Sequence, residues 1–326
     1  MVDSTEGQDF AIGIDMIATV TLNPAVDKSL TVRGFEIGKT NRGEVDCVDA
    51  GGKGINVARA LQRWGSEVCA LGLVAGSNGR FILDALSAEG IPADFVHVPG
   101  ETRVNLKIHD PEKGTETELN ELGFRVTAEH LEELRRKIEA HAPQCPVMVF
   151  SGSLPPDAPP AIFADLILTA MAQGAKCFLD TAGVGLKHGL AAGPFLIKPN
   201  RAEVEDLLKT TLRTRHKLVE AARALIRMGS EQVLISLGAE GAIGVAGKEA
   251  LLAHPPAVKV RSTVGAGDTM VAAMAYAAVE GLPFRQAFCM AVAASAATVA
   301  REGTQLADLA SVRELIPQVT LEDADG

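Results

Sequence analysis

The sequence predicts an α/β fold, on three observations. Short aliphatic stretches alternate with helix-periodic segments along most of the chain. That rhythm breaks at Arg103–Asn120, where two alternating stretches flank Asp110-Pro111-Glu112-Lys113-Gly114 in a β-hairpin pattern. The length, 326 residues with 47% hydrophobic and 22% charged, suits one large globular domain, alone or with a small appendage.

Composition narrows the function. Aromatics make up 4%, with one Trp and one Tyr, so the core is aliphatic and stacking platforms for nucleic acid are missing. A net charge of −10 argues against a nucleic-acid or membrane-surface role. A phosphorylated ligand would need local cations, and Lys53, Arg103 and Lys198 stand where they could serve. Five cysteines without a Cys-x-x-Cys predict a reducing cytoplasm, and seven histidines show no zinc spacing. Residues 1–15 read as a polar tail without the features of a signal peptide. The apolar run Phe288–Ala300 is too short to span a bilayer.

In chain order, Met16–Leu22 is a buried strand ended by Asn23-Pro24, and Asp27 either starts a turn or serves a site. Thr31–Val48 alternates weakly and carries three glycines, as exposed strands do. Gly51, Gly52 and Lys53 open a helix over Ala50–Leu61, with Asn56 in its first turns. The glycines let a ligand approach the backbone, and the lysine brings charge to the same place; a plain helix start is the alternative. Neither the Walker A nor the Rossmann glycine spacing occurs. Glu67–Leu73 is a strand and Ser77–Glu89 a helix capped by Ser77 or Asn78.

After the hairpin, Thr127–His141 is amphipathic and helical, and Pro146–Phe150 is a buried strand. Ser151 and Ser153 follow it, where open α/β sheets bind ligands, although a bare turn explains them equally well. Pro160–Gln173 is a helix, and Lys176–Asp180 and Phe195–Lys198 are strands. Asn200 and Glu203 open the next helix as a capping box, or else stand near Mg²⁺. The helix Arg215–Met228, the strand Gln232–Ser236 and a tight turn through Gly238 and Gly241 lead to Ala242–Ala246. Pro283–Ala300 and Leu306–Leu315 are closing helices.

The stretch Arg261–Tyr276 carries the sharpest signal. A strand-like Ala257–Val260 leads to Gly265-Ala266-Gly267, then Asp268, then a helix whose face holds Met270, Val271 and Met274. The turn lets an anion meet free helix N–H groups. Asp268 is then a helix cap, or a base beside an anion hole, the pairing that phosphoryl transfer to a hydroxyl needs.

These pieces resemble the ribokinase-like sugar kinases, and among them the phosphofructokinase B family. The resemblance rests on Thr21–Asp27 (TLNPAVD), Gly51–Leu61 (GGKGINVARAL), Thr102–Asn105 (TRVN), Ser151–Pro156 (SGSLPP), Lys198–Glu205 (KPNRAEVE), Ser236–Ala242 (SLGAEGA) and Ser262–Val271 (STVGAGDTMV). It covers Met16 to Gly303.

The resemblance implies a three-layer α/β/α core in a single kinase domain, 16–326, with lid segments at 31–48 and 92–120 and a homodimer formed through the lids. By the same resemblance Asp268 is the base, with Gly265, Ala266 and Gly267 as the anion hole. Asp27, Gly51, Gly52 and Asn56 hold the sugar. Lys53 and Arg103 hold its phosphate, near Ser151 or Ser153. Lys198, Asn200, Ser236, Gly238, Gly241 and Gly303 serve ATP, and Asn200 and Glu203 organise Mg²⁺. Asn23-Pro24-Ala25, the lysine in Gly51-Gly52-Lys53-Gly54 and the hairpin are similar to 1-phosphofructokinases. The implied substrate is fructose 1-phosphate, ahead of tagatose 6-phosphate and fructose 6-phosphate. A sugar-phosphate sensor without turnover would not need Asp268 or its anion turn.

Overall fold

The structure, a computed structural model, describes residues 16–325; the expected polar tail at 1–15 lies outside them. The first half runs β1 (Ile17–Thr21), β2 (Ala25–Thr31), β3 (Glu44–Gly51), α1 (Lys53–Arg63), β4 (Val68–Ala75), α2 (Gly76–Ala88), β5 (Ala93–Val98), β6 (Arg103–Asp110), β7 (Thr115–Asn120) and α3 (Ala128–His141). The middle continues through β8 (Val147–Ser151), α4 (Ile162–Met171), β9 (Lys176–Asp180), α5 (Gly183–Gly189), β10 (Leu196–Ile197), α6 (Arg201–Leu208) and α7 (Arg215–Arg227). The rest is β11 (Gln232–Ser236), β12 (Ala242–Ala246), β13 (Glu249–His254), α8 (Ala266–Val279), α9 (Phe284–Val299), α10 (Leu309–Leu315) and β14 (Thr320–Asp323).

The main sheet has ten strands in the order β14-β13-β12-β11-β10-β9-β8-β1-β4-β5. From β11 to β5 neighbouring strands are parallel, and β12 to β14 extend the sheet antiparallel. Parallel strands buried on both faces read as apolar runs, and the alternation shows only in where each side chain goes. Met148 and Phe150 of β8 join a core with Leu134 of α3 and Phe163 of α4. Val147 and Val149 join the opposite core with Ile55 of α1, Ala273 of α8 and Phe288 of α9. Helices therefore cover both faces, giving three layers.

Strand order reverses at β1, which has β4 on one side and β8 on the other. The crevice beyond the carboxyl ends of strands at such a point is where open α/β sheets bind ligands. Thr21, Ser151, Asp180 and Ser236 are the last residues of β1, β8, β9 and β11.

A second sheet, in the order β3-β2-β6-β7, stands apart from the first. Its two faces differ in chemistry. Asp27, Asn105 and Asn120 pair across it in register, as do Ser29, Lys107 and Glu118. The alternate positions are apolar: Leu106 pairs with Leu119, and Leu30 with Val45 and Ile108. Val45 is 53% exposed and Leu119 56%, so part of this apolar face is uncovered.

Several boundaries differ from the sequence expectation. Asp27 lies within β2, not in a turn, because β2 is completed by pairing with β3 and β6. The second sheet starts at Ala25 and its second strand ends at Gly51, whereas β5 belongs to the main sheet, paired with β4. Ala257–Val260 is irregular; the preceding strand is β13, and Pro255-Pro256 follows it without ladder donors. The start of α2 has no side-chain cap of its own. Glu101 accepts its N–H groups instead, 3.2 Å from Ser77 and 2.6 Å from Asn78. All five cysteines are free thiols, and no helix among the described residues is long and apolar enough to cross a membrane.

Candidate active site

The site is assembled from the ends of α1, β9, β10 and α8. Gly265 precedes α8 in the left-handed region at φ 75°, a conformation that costs glycine little. Its turn brings the first N–H groups of α8 to the crevice. Asp268 is the third residue of α8 and makes no cap bond, so the helix-cap alternative does not hold. Its side chain is buried, and Oδ2 accepts a 2.8 Å hydrogen bond from Asn56 Nδ2 of α1.

Asp180, at the end of β9, is 1% exposed. One of its oxygens, Oδ1, accepts from Lys53 Nζ at 3.1 Å and lies 3.4 Å from Lys198 Nζ. Oδ2 has no hydrogen-bond partner among the described residues. Burial alone would hold the Asp180 proton, but the charges of Lys198 and Lys53 outweigh it and keep the carboxyl below its usual range. Lys53 is likewise held charged: the pull of Asp180, Asp268 and Glu203 exceeds the penalty of burial. Asp268 moves the other way. Burial first, then the like charge of Asp180, pushes it up to about 6, against Lys53, Asn56 and Lys198. A carboxylate poised near neutrality beside hydrogen-bond donors is suited to general-base work.

Two cavities flank this cluster. A largely apolar cleft of about 790 Å³ lies against the anion turn, lined by Ser236, Gly238, Gly241, Ala266, Gly267 and Val292 among others. Its size is that of a cofactor- or nucleotide-sized ligand. The other, about 180 Å³, lies under the polar face of the second sheet and is lined by Asp27, Asn105, Lys107 and Glu118, with Val264 and Thr304 also on its wall. Asp27 Oδ1 accepts from Asn105 Nδ2 at 2.8 Å, and its other oxygen lies against the backbone of Gly51. A Cβ on Gly51 would sit 2.1 Å from that oxygen, so the glycine is required by close approach. Burial raises the pKa of Asp27, opposed by Asn105 and Arg103.

Residues 17–310 match the pfkB family carbohydrate kinases. The chain belongs to that family. It is 38% identical to the 1-phosphofructokinase of Rhodobacter capsulatus over 94% of this chain and 97% of the relative. Phosphofructokinase-2 from Escherichia coli, solved in complex with potassium, superposes with a TM-score of 0.88 at 30% identity, covering 93% of this chain and 99% of that one. A possible 1-phosphofructokinase from Thermotoga maritima gives 0.85 at 28%, covering 94% and 99%.

Within this pfkB kinase the expected residues divide by position. Asp268, Asn56, Lys53 and Lys198 converge, and Gly267 lies over Lys198, whose Nζ would be 3.2 Å from a Cβ there. Gly52, with φ 120°, is the N-cap of α1. Ser151 is buried and its hydroxyl has no hydrogen-bond partner among the described residues, whereas Ser153 accepts from Asn23 Nδ2 at 3.3 Å. Asn200 and Glu203 do form the capping box: Oδ1 of Asn200 takes the Glu203 N–H at 2.9 Å, and Glu203 Oε2 takes the Asn200 N–H at 2.8 Å.

Three of the expected residues have further contacts or positions. Lys53 is bound to Asp180 near Asp268 and does not line the smaller pocket. Arg103 donates Nε to the Asn23 carbonyl and a terminal nitrogen to that of Glu121, each at 3.3 Å, and lies near enough to Asp27 for its charge to act there. Gly303 lies outside the cleft lining, in the turn after α9. The next residue, Thr304, lines the smaller pocket and donates to Asp49 at 2.7 Å, while Glu302 pairs with Arg261.

Sequence reasoning missed Asp180 and Asn105. A charged residue ending the buried strand Lys176–Asp180 was the available signal.

If Asp180 raises Asp268, the free-enzyme profile of kcat/KM against pH has an acid limb near pH 6, since the base works only when deprotonated. Asp180→Asn removes a like charge and frees two lysines, so it should move that limb to lower pH. The substrate's own phosphate titration is common to both enzymes and cancels in the comparison. A limb that stays put or moves up would refute the coupling.

Proposed function

We propose that this kinase transfers the γ-phosphoryl group of ATP to the 6-hydroxyl of fructose 1-phosphate, giving fructose 1,6-bisphosphate. The carrying observation is the placement of Asp268: buried, bonded to Asn56, beside an anion turn that lines the large cleft. The substrate follows the name of the relatives, 1-phosphofructokinase, the Rhodobacter enzyme at 38% identity.

In this mechanism ATP occupies the large cleft with its phosphates at the anion turn. Asp27 and Asn56 hold sugar hydroxyls and set the attacking oxygen against Asp268. Asp268 takes the hydroxyl proton as the new O–P bond forms and the bond from the γ-phosphorus to the β,γ-bridging oxygen breaks, releasing ADP. The α8 N–H groups, with Lys53 and Lys198 nearby, stabilise the charge on the group in flight. Lys53 therefore acts on the transferring phosphoryl group. Positioning and electrostatics supply most of the acceleration in such reactions.

The residues present fit Mg²⁺. Asp180 Oδ2 is a buried carboxylate oxygen without a partner among the described residues, and Glu203 lies close enough for its charge to act on Lys53. Mg²⁺ needs one or two carboxylates, with water and phosphate oxygens completing its shell. Asp180 and Glu203 would hold it, with Asn200 fixing Glu203 through the capping box. When bound, the ion neutralises phosphate charge.

We also assign the uncovered apolar face of the second sheet to a homodimer contact. Val45, Leu119 and Val48 expose it, and an isolated small sheet gains stability by covering such a face. Sedimentation at micromolar concentration should give a dimer, and Leu119→Lys should give monomer; a wild-type monomer would contradict this.

The substrate is tested by kcat/KM for fructose 1-phosphate, fructose 6-phosphate and tagatose 6-phosphate with MgATP. Fructose 1-phosphate should lead. A preference of about tenfold or more for either 6-phosphate, about 1.4 kcal/mol in transition-state binding, would overturn the substrate and leave the kinase chemistry intact.

A further inference from the structure

The smaller pocket has a wall that the second sheet does not supply. Val264 and Thr304 close it from the core side. Val264 directly precedes the anion turn, and Thr304 opens the segment 304–307 between α9 and α10. Thr304 Oγ1 donates a 2.7 Å hydrogen bond to Asp49 Oδ2. The acceptor is a carboxylate, so the bond is charge-assisted and among the stronger kinds. Asp49 pairs with Asp27 in the register of β3 and β2, so it shares the polar face of the second sheet. One short bond therefore ties that sheet to a segment 255 residues away in the chain.

The rest of the segment is held on the core. Leu306 is buried and lies against Gly265, where a Cβ would come 2.6 Å from Leu306 Cδ2. Gly265 is the left-handed residue that starts the anion turn. Trp64, the residue after α1, donates Nε1 to the Ala307 carbonyl at 2.9 Å, and the Ala307 N–H donates to Thr298 Oγ1 of α9 at 3.3 Å. A close-packed, hydrogen-bonded segment transmits a displacement instead of absorbing it. Within four residues the chain thus touches the second sheet at one end and the anion turn near the other.

We propose that segment 304–307 is a strap that couples the two cavities, with Asp49 and Thr304 as positioning residues. When the second sheet sits over a sugar phosphate, Asp49 holds Thr304, and Leu306 holds the turn at Gly265 in the form that receives the phosphates of ATP. This rests on the assignment of the two cavities to sugar phosphate and ATP. The effect of Asp49 and Thr304 on the reaction passes through Gly265. Coupling between two sites is reciprocal, so each ligand tightens the other by the same factor.

The test measures the dissociation constant of fructose 1-phosphate by calorimetry, with and without saturating Mg²⁺ and the β,γ-imido analogue of ATP. It compares wild type, Thr304→Val, Asp49→Ala, the double variant and Asp49→Asn. The wild type should bind the sugar phosphate roughly 5- to 100-fold tighter with the analogue present. Thr304→Val and Asp49→Ala should each cut that ratio roughly fivefold or more, the effect of losing one charge-assisted bond. The double variant should lose no more than either single one, because the two side chains act as a unit. Asp49→Asn, whose amide oxygen still accepts the hydroxyl, should keep most of the ratio. The analogue alone should bind every variant within about threefold of wild type, which an unfolded variant could not do. A wild-type ratio near one, an unchanged ratio in both single variants, or losses that add in the double variant would overturn the strap. A direct contact of Thr304 with the sugar would weaken binding equally with and without the analogue, leave the ratio intact, and so count against it. If the wild type binds a 6-phosphate in place of fructose 1-phosphate, the same ratios measured with that sugar test the strap, and the choice of substrate alone fails.

Discussion

The site depends on one hydrogen bond, from Asn56 of α1 to Asp268 of α8. A carboxylate buried this deeply loses most of its hydration and needs donors in exchange. Asn56 supplies a neutral one, which holds the carboxylate in place while opposing the rise in its pKa. The bond also joins two helices on one side of the sheet, where Ile55 and Ala58 of α1 and Ala272 and Ala273 of α8 share a core. The apolar packing of that layer thus fixes the position of the Asp268 carboxylate.

Asp180 is the second constraint. Two lysines converging on a crevice would repel each other, and the buried carboxylate at the end of β9 binds both. It also keeps Asp268 from being too strong an acid. One group thereby gathers two lysines at the crevice and raises the pKa of Asp268 toward neutrality. The arrangement sets charges against one another inside the fold, which requires the rigid strand ends of a parallel sheet.

Much of this was legible in the sequence, because the relevant signals are local. Gly265-Ala266-Gly267-Asp268 and Gly51-Gly52-Lys53 each encode a turn and a helix start within a few residues. Asn200 and Glu203 encode a capping box whatever else they do, and the structure forms it. What was not legible depends on distant partners. Asp27 looked like a turn residue because β2 exists only through its pairing with β3 and β6. Asp180 closes an ordinary buried strand, and its meaning comes from lysines at 53 and 198. Arg103 was placed correctly near the second sheet, but its backbone carbonyl partners at 23 and 121 leave no trace in a local pattern.

The claim that Asp268 is the base is tested most directly by Asp268→Asn, which keeps the size of the side chain and removes the charge. The account predicts turnover lower by roughly 10²–10⁴-fold with the dissociation constant of the sugar phosphate little changed. Near-normal turnover in that variant would mean the proton leaves by another route, and would contradict the account at its centre.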